Sequence, residues 1–303
     1  MHNSLALRVF GIASTSFSGT TLFGFMLGAH PRVFATGETH TLFRCYRDIT
    51  GECRSLDTCS VHHESCDFWT KGFSAQCEQR NISSLYSRLA AYSETVSVVV
   101  HSFNTEVYAE LLRERTPLDG LIVLFKRPAS YYCSSKVHEG KTVEKAAADY
   151  VSQYSGIRDL SEDYRLPSAT VFYEDLTTKP QETLQALCTW LGLTYAPVMT
   201  TPWEAVSRLH TIGGNAGTYM HLWDENMRER MLSSAYWREV HGERGRLWLR
   251  DNFRCIRLDE RWKSLPPEEI REMEACTAAR EMFEMLMARR LLPESGSGQT
   301  AAP

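Results

Sequence analysis

The sequence predicts an α/β fold of three layers, in which helices flank a central parallel sheet and the C-terminal part is helical. Four short apolar runs have the character of buried parallel strands, and stretches of helical length separate them. Alternating strands and helices are typical of a parallel sheet that is covered on both faces. Beyond Gly192 the pattern changes to loops and helices.

The predicted elements follow in order along the chain. The apolar strand runs are residues 5–13, 96–101, 121–126 and 169–173. The predicted helices are residues 20–27, 83–92, 106–115, 142–157, 180–191 and 266–289. Pro180 stands in the first turn of its helix, where proline is tolerated. Glu268 and Glu269 stand in the first turn of the last helix, where the helix dipole favours carboxylates.

The composition is that of an ordinary globular protein. For the 303 residues we expect one domain over 1–293 and a disordered tail, ESGSGQTAAP, over 294–303. The net charge of −4 argues against a general binder of nucleic acid or anionic membranes, which would be basic. The sequence has no run of about 18 apolar residues and no signal-like basic N-terminus, so we expect a cytoplasmic protein without a membrane span.

Cysteines are concentrated in an irregular, inserted segment at residues 45–80. The chain has nine, an odd number that does not indicate a secreted disulfide scaffold. The segment contains His62 and His63 besides Cys53, Cys59, Cys66 and Cys77. The spacings C-x5-C and C-x6-C differ from the C-x2-C of many structural zinc sites. We expect reduced thiols that pack a substrate-facing loop and no metal ligand; the alternative is a zinc site.

The loop at residues 14–19, between the first strand and the first helix, is the most informative segment. It has the length of the phosphate-binding pattern G-x-x-x-x-G-K-[ST], with Ser14 and Gly19 at the glycines and Thr20 at the lysine. Such a loop directs backbone N–H groups and a helix N-terminus at an anion, so the predicted fold is P-loop-like. Without the lysine it suits a single 5′-phosphate better than the phosphates of ATP or GTP. The alternative is a serine-rich turn without a ligand.

Further motifs follow in order and together indicate a known family. They are FSGTTL at 17–22, LGAHP at 27–31, GET at 37–39, LIVLFKRP at 121–128 with Ser134 and Ser135, FYEDL at 172–176 with Pro180 and LGL at 191–193, and HTIGGN at 210–215. The set resembles the PAPS-dependent sulfotransferase family, most closely the branch that holds bacterial, carbohydrate and tyrosylprotein sulfotransferases. The resemblance spans residues 7 to about 262.

The resemblance implies a nucleotide site. In the family the SGTT turn holds the 5′-phosphosulfate, a basic residue and a serine hold the 3′-phosphate, and a late glycine-rich loop closes over the nucleotide. The cofactor-binding residues it implies are Ser16, Phe17, Ser18, Gly19, Thr20, Thr21, Lys126, Arg127, Ser134, Tyr173 and Asn215. Two alignments stay open: Lys126 pairs with Ser134, or Arg127 pairs with Ser135.

The resemblance also implies catalytic residues. Glu38 matches the carboxylate that acts as base in tyrosylprotein sulfotransferases. His40, two residues on, is placed to bind the leaving oxygen or the acceptor. The alternatives are a Glu38 that orders its loop through backbone N–H groups and a His40 at the surface.

Two positions depart from the family pattern. Phe17 stands where the family usually has Lys or Arg beside the bridging oxygen. A substitute cation is therefore expected from His40 or Arg44, or the loop N–H groups act alone. In addition, HSFN at 101–104 replaces the Ser-Ser-Lys of many relatives.

We therefore expect a sulfotransferase that uses PAPS and releases PAP. It would transfer the sulfuryl group in line, without a metal and with Glu38 as general base. The expected acceptor is a hydroxyl or amino group of a natural-product or sugar-like small molecule. The alternatives are a tyrosylprotein sulfotransferase-like enzyme, a non-catalytic PAP- or PAPS-binding protein and a P-loop kinase, which the missing lysine disfavours. Neither nucleic acid nor membrane is an expected partner, and the sequence leaves the oligomeric state open.

Overall fold

The computed structural model describes residues 7–39, 46–47, 53–54, 59–70, 82–93, 95–240, 242–243, 247 and 252–292. The strands are β1 (Arg8–Ala13), β2 (Val33–Gly37), β3 (Tyr46–Arg47), β4 (Cys53–Arg54), β5 (Val98–Ser102), β6 (Gly120–Phe125) and β7 (Ser168–Phe172). The helices of the first half are α1 (Thr20–Gly28), α2 (Ile82–Tyr92), α3 (Thr105–Arg113), α4 (Pro128–Glu139) and α5 (Val143–Asp163). They are followed by α6 (Tyr173–Thr178), α7 (Pro180–Trp190), α8 (Ala216–Tyr219), α9 (Glu225–Leu232), α10 (Ala235–Val240), α11 (Pro267–Ala275) and α12 (Thr277–Ala288).

A five-stranded parallel sheet forms the centre, in the order β2-β5-β1-β6-β7. All four predicted strands are present, and the α/β fold class is confirmed. The edge strand β2 was not predicted, because its sequence VFATG is short and ends in turn-forming residues. β3 and β4 pair separately as a two-residue antiparallel ladder.

Alternating side chains divide the core between the two faces of the sheet. Val99 and Val123 belong to one buried apolar cluster, which includes residues of α5 and α12. Val98 and Ile122 belong to the other, which includes residues of α1 and α7. Since successive strand residues point to opposite faces, these two clusters are the interfaces of a three-layer fold.

The helices depart from the predicted pattern in several places. The predicted helix at 266–289 is two helices, because Cys276 has a non-helical ψ of 102° and separates α11 from α12. α4 was not predicted from periodicity; it begins at Pro128, which needs no N–H donor at that position. No helix in the described part of the chain has the length and apolar character to cross a membrane. The predicted tail at 294–303 lies outside the described residues.

The sheet brings the predicted site residues to one edge. The 14–19 loop follows β1, Glu38 follows β2, Lys126 follows β6 and Tyr173 follows β7. The carboxyl ends of parallel strands meet at one edge, and open α/β sheets bind their ligands there. Residues distant in sequence are therefore neighbours at the carboxyl ends of these strands.

Candidate active site

The 14–19 loop makes a tight turn into α1. Phe17 (φ 59°) and Gly19 (φ 92°) both adopt the left-handed conformation, which glycine tolerates best. A Cβ atom at Gly19 would lie only 2.6 Å from the nearest atom of the Tyr173 ring. Gly19 therefore allows the ring of Tyr173 to pack directly on the loop.

Hydroxyl groups hold the loop from inside. Ser18 is fully buried, and its Oγ lies 2.5 Å from Oγ1 of Thr15. Thr15 Oγ1 in turn lies 3.5 Å from the Tyr154 hydroxyl, which donates to the Leu124 carbonyl of β6. Ser16 is exposed. The Ser18 side chain is thus part of the loop's own support, and the backbone N–H groups at the start of α1 are the donors available to an anion.

Lys126 is a buried cation beside this loop. Only 2% of it is exposed, and its Nζ donates to Ser134 Oγ at 2.9 Å. Nζ also lies 6.0 Å from the centre of the Tyr173 ring, which packs on Gly19. Burial lowers the pKa of Lys126 to about 8, against the opposing effect of Asp259. A buried ammonium group gains from an anionic partner, which would restore the lost charge stabilisation.

Of the two alignments of the basic residue, the structure forms the pair Lys126–Ser134. Arg127 points elsewhere: its guanidinium lies 5.5 Å from the centre of the Trp262 ring. Ser135 Oγ donates to the backbone carbonyl of Tyr132 and does not pair with Arg127.

Sequence reasoning missed a second cation near Lys126. Arg261 donates to both carboxylate oxygens of Asp259, at 2.8 and 2.7 Å. The charges of Arg261 and Asp259 both influence the pKa of Lys126 and that of Tyr173, so the two residues lie near the same end of the sheet. The available signal was weak: Arg261 is one of four basic residues in the mixed segment 254–263, which has no spacing that indicates a site.

Glu38 is held against the late glycine-rich loop. Its backbone N donates to the Ile212 carbonyl at 2.6 Å, and its carboxylate accepts the N–H of Gly214. A Cβ at Gly213 would lie 2.8 Å from Cβ of Glu38, so only glycine fits without a shift. Burial raises the pKa of Glu38, and the Gly214 N–H opposes that shift. A raised pKa brings a carboxylate closer to the range in which it serves as a base.

The same loop contacts the start of α1. Asn215 N donates to Thr21 Oγ1 at 3.0 Å, and a Cβ at Gly214 would lie 3.0 Å from Thr21. A cavity of about 20 Å³, room for a water-sized group, lies between Thr20, Thr21, Glu38 and Gly213. Glu38, the N-terminus of α1 and the glycine-rich loop thus form one site.

The position that departs from the family pattern has an aromatic partner. The Phe17 ring stacks on His138 of α4, with centroids 4.6 Å apart and planes 12° apart. Burial is the main cause that lowers the pKa of His138, and the neighbouring Arg261 also lowers it. His40 and Arg44, the substitute cations expected from the sequence, lie outside the described residues.

His101, at the second departure, is a neutral structural group. Burial lowers its pKa to about 3. Its Nδ1 lies 2.8 Å from Thr36 Oγ1 and its Nε2 lies 3.1 Å from the Tyr86 hydroxyl. It therefore supplies no positive charge at neutral pH.

Three solved structures are similar to this chain. The olefin synthase sulfotransferase domain of Synechococcus PCC 7002 is 18% identical, with a TM-score of 0.50 over 90% of this chain and 95% of that one, which shows the fold. The sulfotransferase domain of the curacin biosynthetic pathway is 19% identical, with a TM-score of 0.49 over 82% of this chain and 99% of that one. A sulfotransferase from Alicyclobacillus acidocaldarius is 12% identical, with a TM-score of 0.38 over 85% and 99%.

Sequence comparison identifies the family. No curated protein matches the chain significantly. The sequence model described as the sulfotransferase family matches residues 12–197, which include the 14–19 loop, Glu38, Lys126 and Tyr173. This chain therefore belongs to the sulfotransferase family.

Proposed function

We propose that the protein transfers a sulfuryl group from PAPS to a small, uncharged acceptor and releases PAP. The observation that carries the proposal is the buried Lys126–Ser134 pair beside the 14–19 loop. A nucleotide with phosphates at both its 5′ and 3′ positions needs two anion sites. The start of α1 and the pair Lys126–Ser134 are such sites at one sheet edge, with the Tyr173 ring between them.

The roles in nucleotide binding follow from these contacts. The backbone N–H groups of the 14–19 loop and of Thr20 and Thr21 would bind the 5′-phosphosulfate. Lys126 and Ser134 would bind the 3′-phosphate, with Arg261 as an additional charge nearby. Asn215, which already bonds to Thr21, would hold the glycine-rich loop over the nucleotide.

Transfer would proceed in one in-line step. The acceptor oxygen or nitrogen gives its proton to Glu38 and forms a bond to sulfur. The bond between sulfur and the phosphate oxygen of the nucleotide breaks, and PAP leaves with that electron pair. The buried carboxylate of Glu38 suits this role because its pKa is raised from the ordinary value. Charge on the leaving oxygen would be stabilised by the N–H groups of the 14–19 loop and by the cation expected from His40 or Arg44. No metal takes part in this step.

The described residues around Glu38 and the net charge of the chain support an uncharged acceptor over an acidic peptide. Apart from Glu38, the lining consists of apolar and small polar residues, including Phe25, Val100 and Ser102, with no basic side chain among its described members. An acidic peptide of the tyrosylprotein type would need basic partners at this position. The net charge of −4 points in the same direction.

Labelled PAPS tests the proposal. The purified protein is incubated with radiolabelled PAPS and either a small-metabolite pool or a pool of tyrosine peptides, with the Glu38→Gln variant as the matched control. We expect labelled small molecules with the wild-type protein and a strongly reduced signal with the variant. Label in the peptide pool alone would favour the tyrosylprotein alternative. PAP binding without transfer to either pool would contradict the proposed reaction.

A further inference from the structure

Four side chains with metal-ligand chemistry meet outside the proposed transfer site. Cys59, His62 and Cys66 come from the inserted segment, and His210 comes from the start of the glycine-rich loop. One ligand atom from each lies within 4.8 Å of all the others. We refer to these four residues as the Cys2His2 cluster. None of them has a part in the proposed transfer.

Two distances inside the cluster fit tetrahedral coordination of one ion. Zinc bonds of about 2.3 Å to sulfur and about 2.0–2.1 Å to nitrogen place neighbouring ligand atoms about 3.3–3.8 Å apart in a tetrahedron. His210 Nδ1 lies 3.3 Å from Cys66 Sγ, and His62 Nδ1 lies 3.8 Å from Cys59 Sγ.

Both histidines have their other ring nitrogen fixed by an acceptor. His62 Nε2 lies 3.0 Å from the Val206 carbonyl, so it carries the proton and leaves the Nδ1 lone pair directed at the thiols. His210 Nε2 lies 3.0 Å from the Tyr92 hydroxyl, which donates its own proton to the Asp67 carboxylate. Nε2 of His210 is therefore also the donor. A ligand histidine held by a carbonyl, or by a chain that ends in a carboxylate, is typical of metal sites.

Both sulfur atoms accept backbone hydrogen bonds. Cys59 Sγ accepts from the N–H of Val61 and of His62, each at 3.4 Å. Cys66 Sγ accepts from the N–H of Trp69 at 3.2 Å. Donors of this kind favour the thiolate, which is the form that binds metals. Cys59 and Cys66 are buried as well, so a thiolate here needs a positive partner.

We propose that Cys59, His62, Cys66 and His210 bind one structural zinc ion. Two thiolates and two imidazoles are the ligands that zinc prefers, and four protein ligands leave no open position for chemistry. The cysteine spacings alone had favoured reduced thiols. The pattern that matters is Cys59-x2-His62-x3-Cys66, completed by a ligand 144 residues after Cys66.

The ion would tie the inserted segment to the glycine-rich loop. Ser60 already donates to the Thr211 carbonyl, and Trp69 Nε1 donates to the His210 carbonyl at 2.7 Å. His210 stands four residues before Gly214, whose N–H reaches the Glu38 carboxylate. The proposed zinc would therefore hold the loop that positions Glu38. The zinc proposal rests on ligand geometry and does not depend on the identity of the acceptor or the donor.

Metal analysis of the untagged, reduced protein tests the proposal. We expect about one zinc ion per chain by inductively coupled plasma mass spectrometry. Cys59→Ser, Cys66→Ser and His210→Asn should each lower the zinc content strongly. The matched controls are Cys188→Ser, a buried cysteine outside the cluster, and His63→Asn, the neighbour of His62; both should keep the zinc.

A second measurement uses the wild-type chain, in case the variants do not fold. Cobalt(II) exchanged into the protein should give the intense visible bands of a tetrahedral site and a thiolate-to-cobalt charge-transfer band. Bound zinc should protect two thiols from a thiol reagent, and a chelator should expose them. A protein that takes up no metal after zinc addition, or metal that the cluster variants retain, would overturn the proposal. So would a Cys59–Cys66 disulfide, recognised in the untreated protein by the mass of the two linked peptides after proteolysis without reduction.

Discussion

Gly213 lies directly against Glu38, so closely that a Cβ atom at residue 213 would stand 2.8 Å from Cβ of the glutamate. The backbone of Gly213 is also left-handed, with a φ of 68°. The glycine-rich loop therefore approaches the proposed base without any side chain between them. Its next residue, Gly214, donates the N–H that the carboxylate accepts.

Replacement of this glycine should therefore impair catalysis more than a comparable backbone change elsewhere. We expect Gly213→Ala to displace Glu38 and to lower turnover strongly. The left-handed alanine should also lower the free energy of unfolding by roughly 1–2 kcal/mol. Gly140→Ala is the matched control, because Gly140 has a φ of 65° and open space around it. Initial rates and melting temperatures of the two variants check this. Equal losses of rate would show that the contact with Glu38 has no catalytic role.

Glu38→Gln should reduce turnover by about 10²–10⁴ because a general base is lost. The affinity for PAP should stay near the wild-type value, since the carboxylate acts on the acceptor and not on the nucleotide. Glutamine retains an oxygen that can accept the Gly214 N–H, so the loop should keep its place. Kinetics with the identified acceptor, together with calorimetry of PAP, check both statements. A Gln variant with normal turnover would make Glu38 a structural residue.

The pH dependence of the rate should carry the signature of the same residue. Burial raises the pKa of Glu38, and only the ionised form accepts a proton, so activity should rise with pH through that raised pKa. The stability changes in the opposite sense. The pKa of Glu38 is higher in the folded than in the unfolded state. Its contribution to stability is therefore fully present below the unfolded pKa and is lost as the pH rises through the folded pKa. Rate profiles of wild type and Glu38→Gln test the assignment, which fails if both have the same acidic limb.

Phe17 stands where the family usually has a basic residue, so a cation from outside the 14–19 loop should take over the role of that residue. We expect His40→Ala or Arg44→Ala to lower turnover with little change in melting temperature. Phe17→Arg should lose the stacking on His138, which occupies the space beside the ring. Wild-type rates in both alanine variants would mean that the loop N–H groups act without a substitute cation.

Local patterns predicted the parts of the fold and the site that depend on neighbouring residues. The strand, loop and helix around Gly19 have a recognisable order in sequence. Of the two alignments that the sequence left open, the one set by Pro128 matches the Lys126–Ser134 hydrogen bond. β2 was missed because its sequence VFATG is short and ends in turn-forming residues. The break at Cys276 depends on one ψ angle and leaves no trace in the apolar pattern.

Contacts between distant segments escaped prediction for a different reason. Arg261 and Lys126 are neighbours only after the chain has folded, since 135 positions separate them. In the same way His210 meets Cys66 across 144 positions. Spacing rules detect metal ligands that lie within one loop. A site formed jointly by the inserted segment and the glycine-rich loop is therefore visible only in the structure.

Calorimetry of PAP and of AMP, which differ by the 3′-phosphate, tests the proposed nucleotide site. We expect PAP to bind about 10- to 100-fold more tightly, because a charge-assisted contact contributes about 1.5–3 kcal/mol. In Lys126→Met the preference should largely disappear. Lys145→Met, which alters an exposed lysine paired with Asp149, should keep it. Equal affinity of the wild-type protein for PAP and AMP would contradict the proposed donor and the role of Lys126 and Ser134.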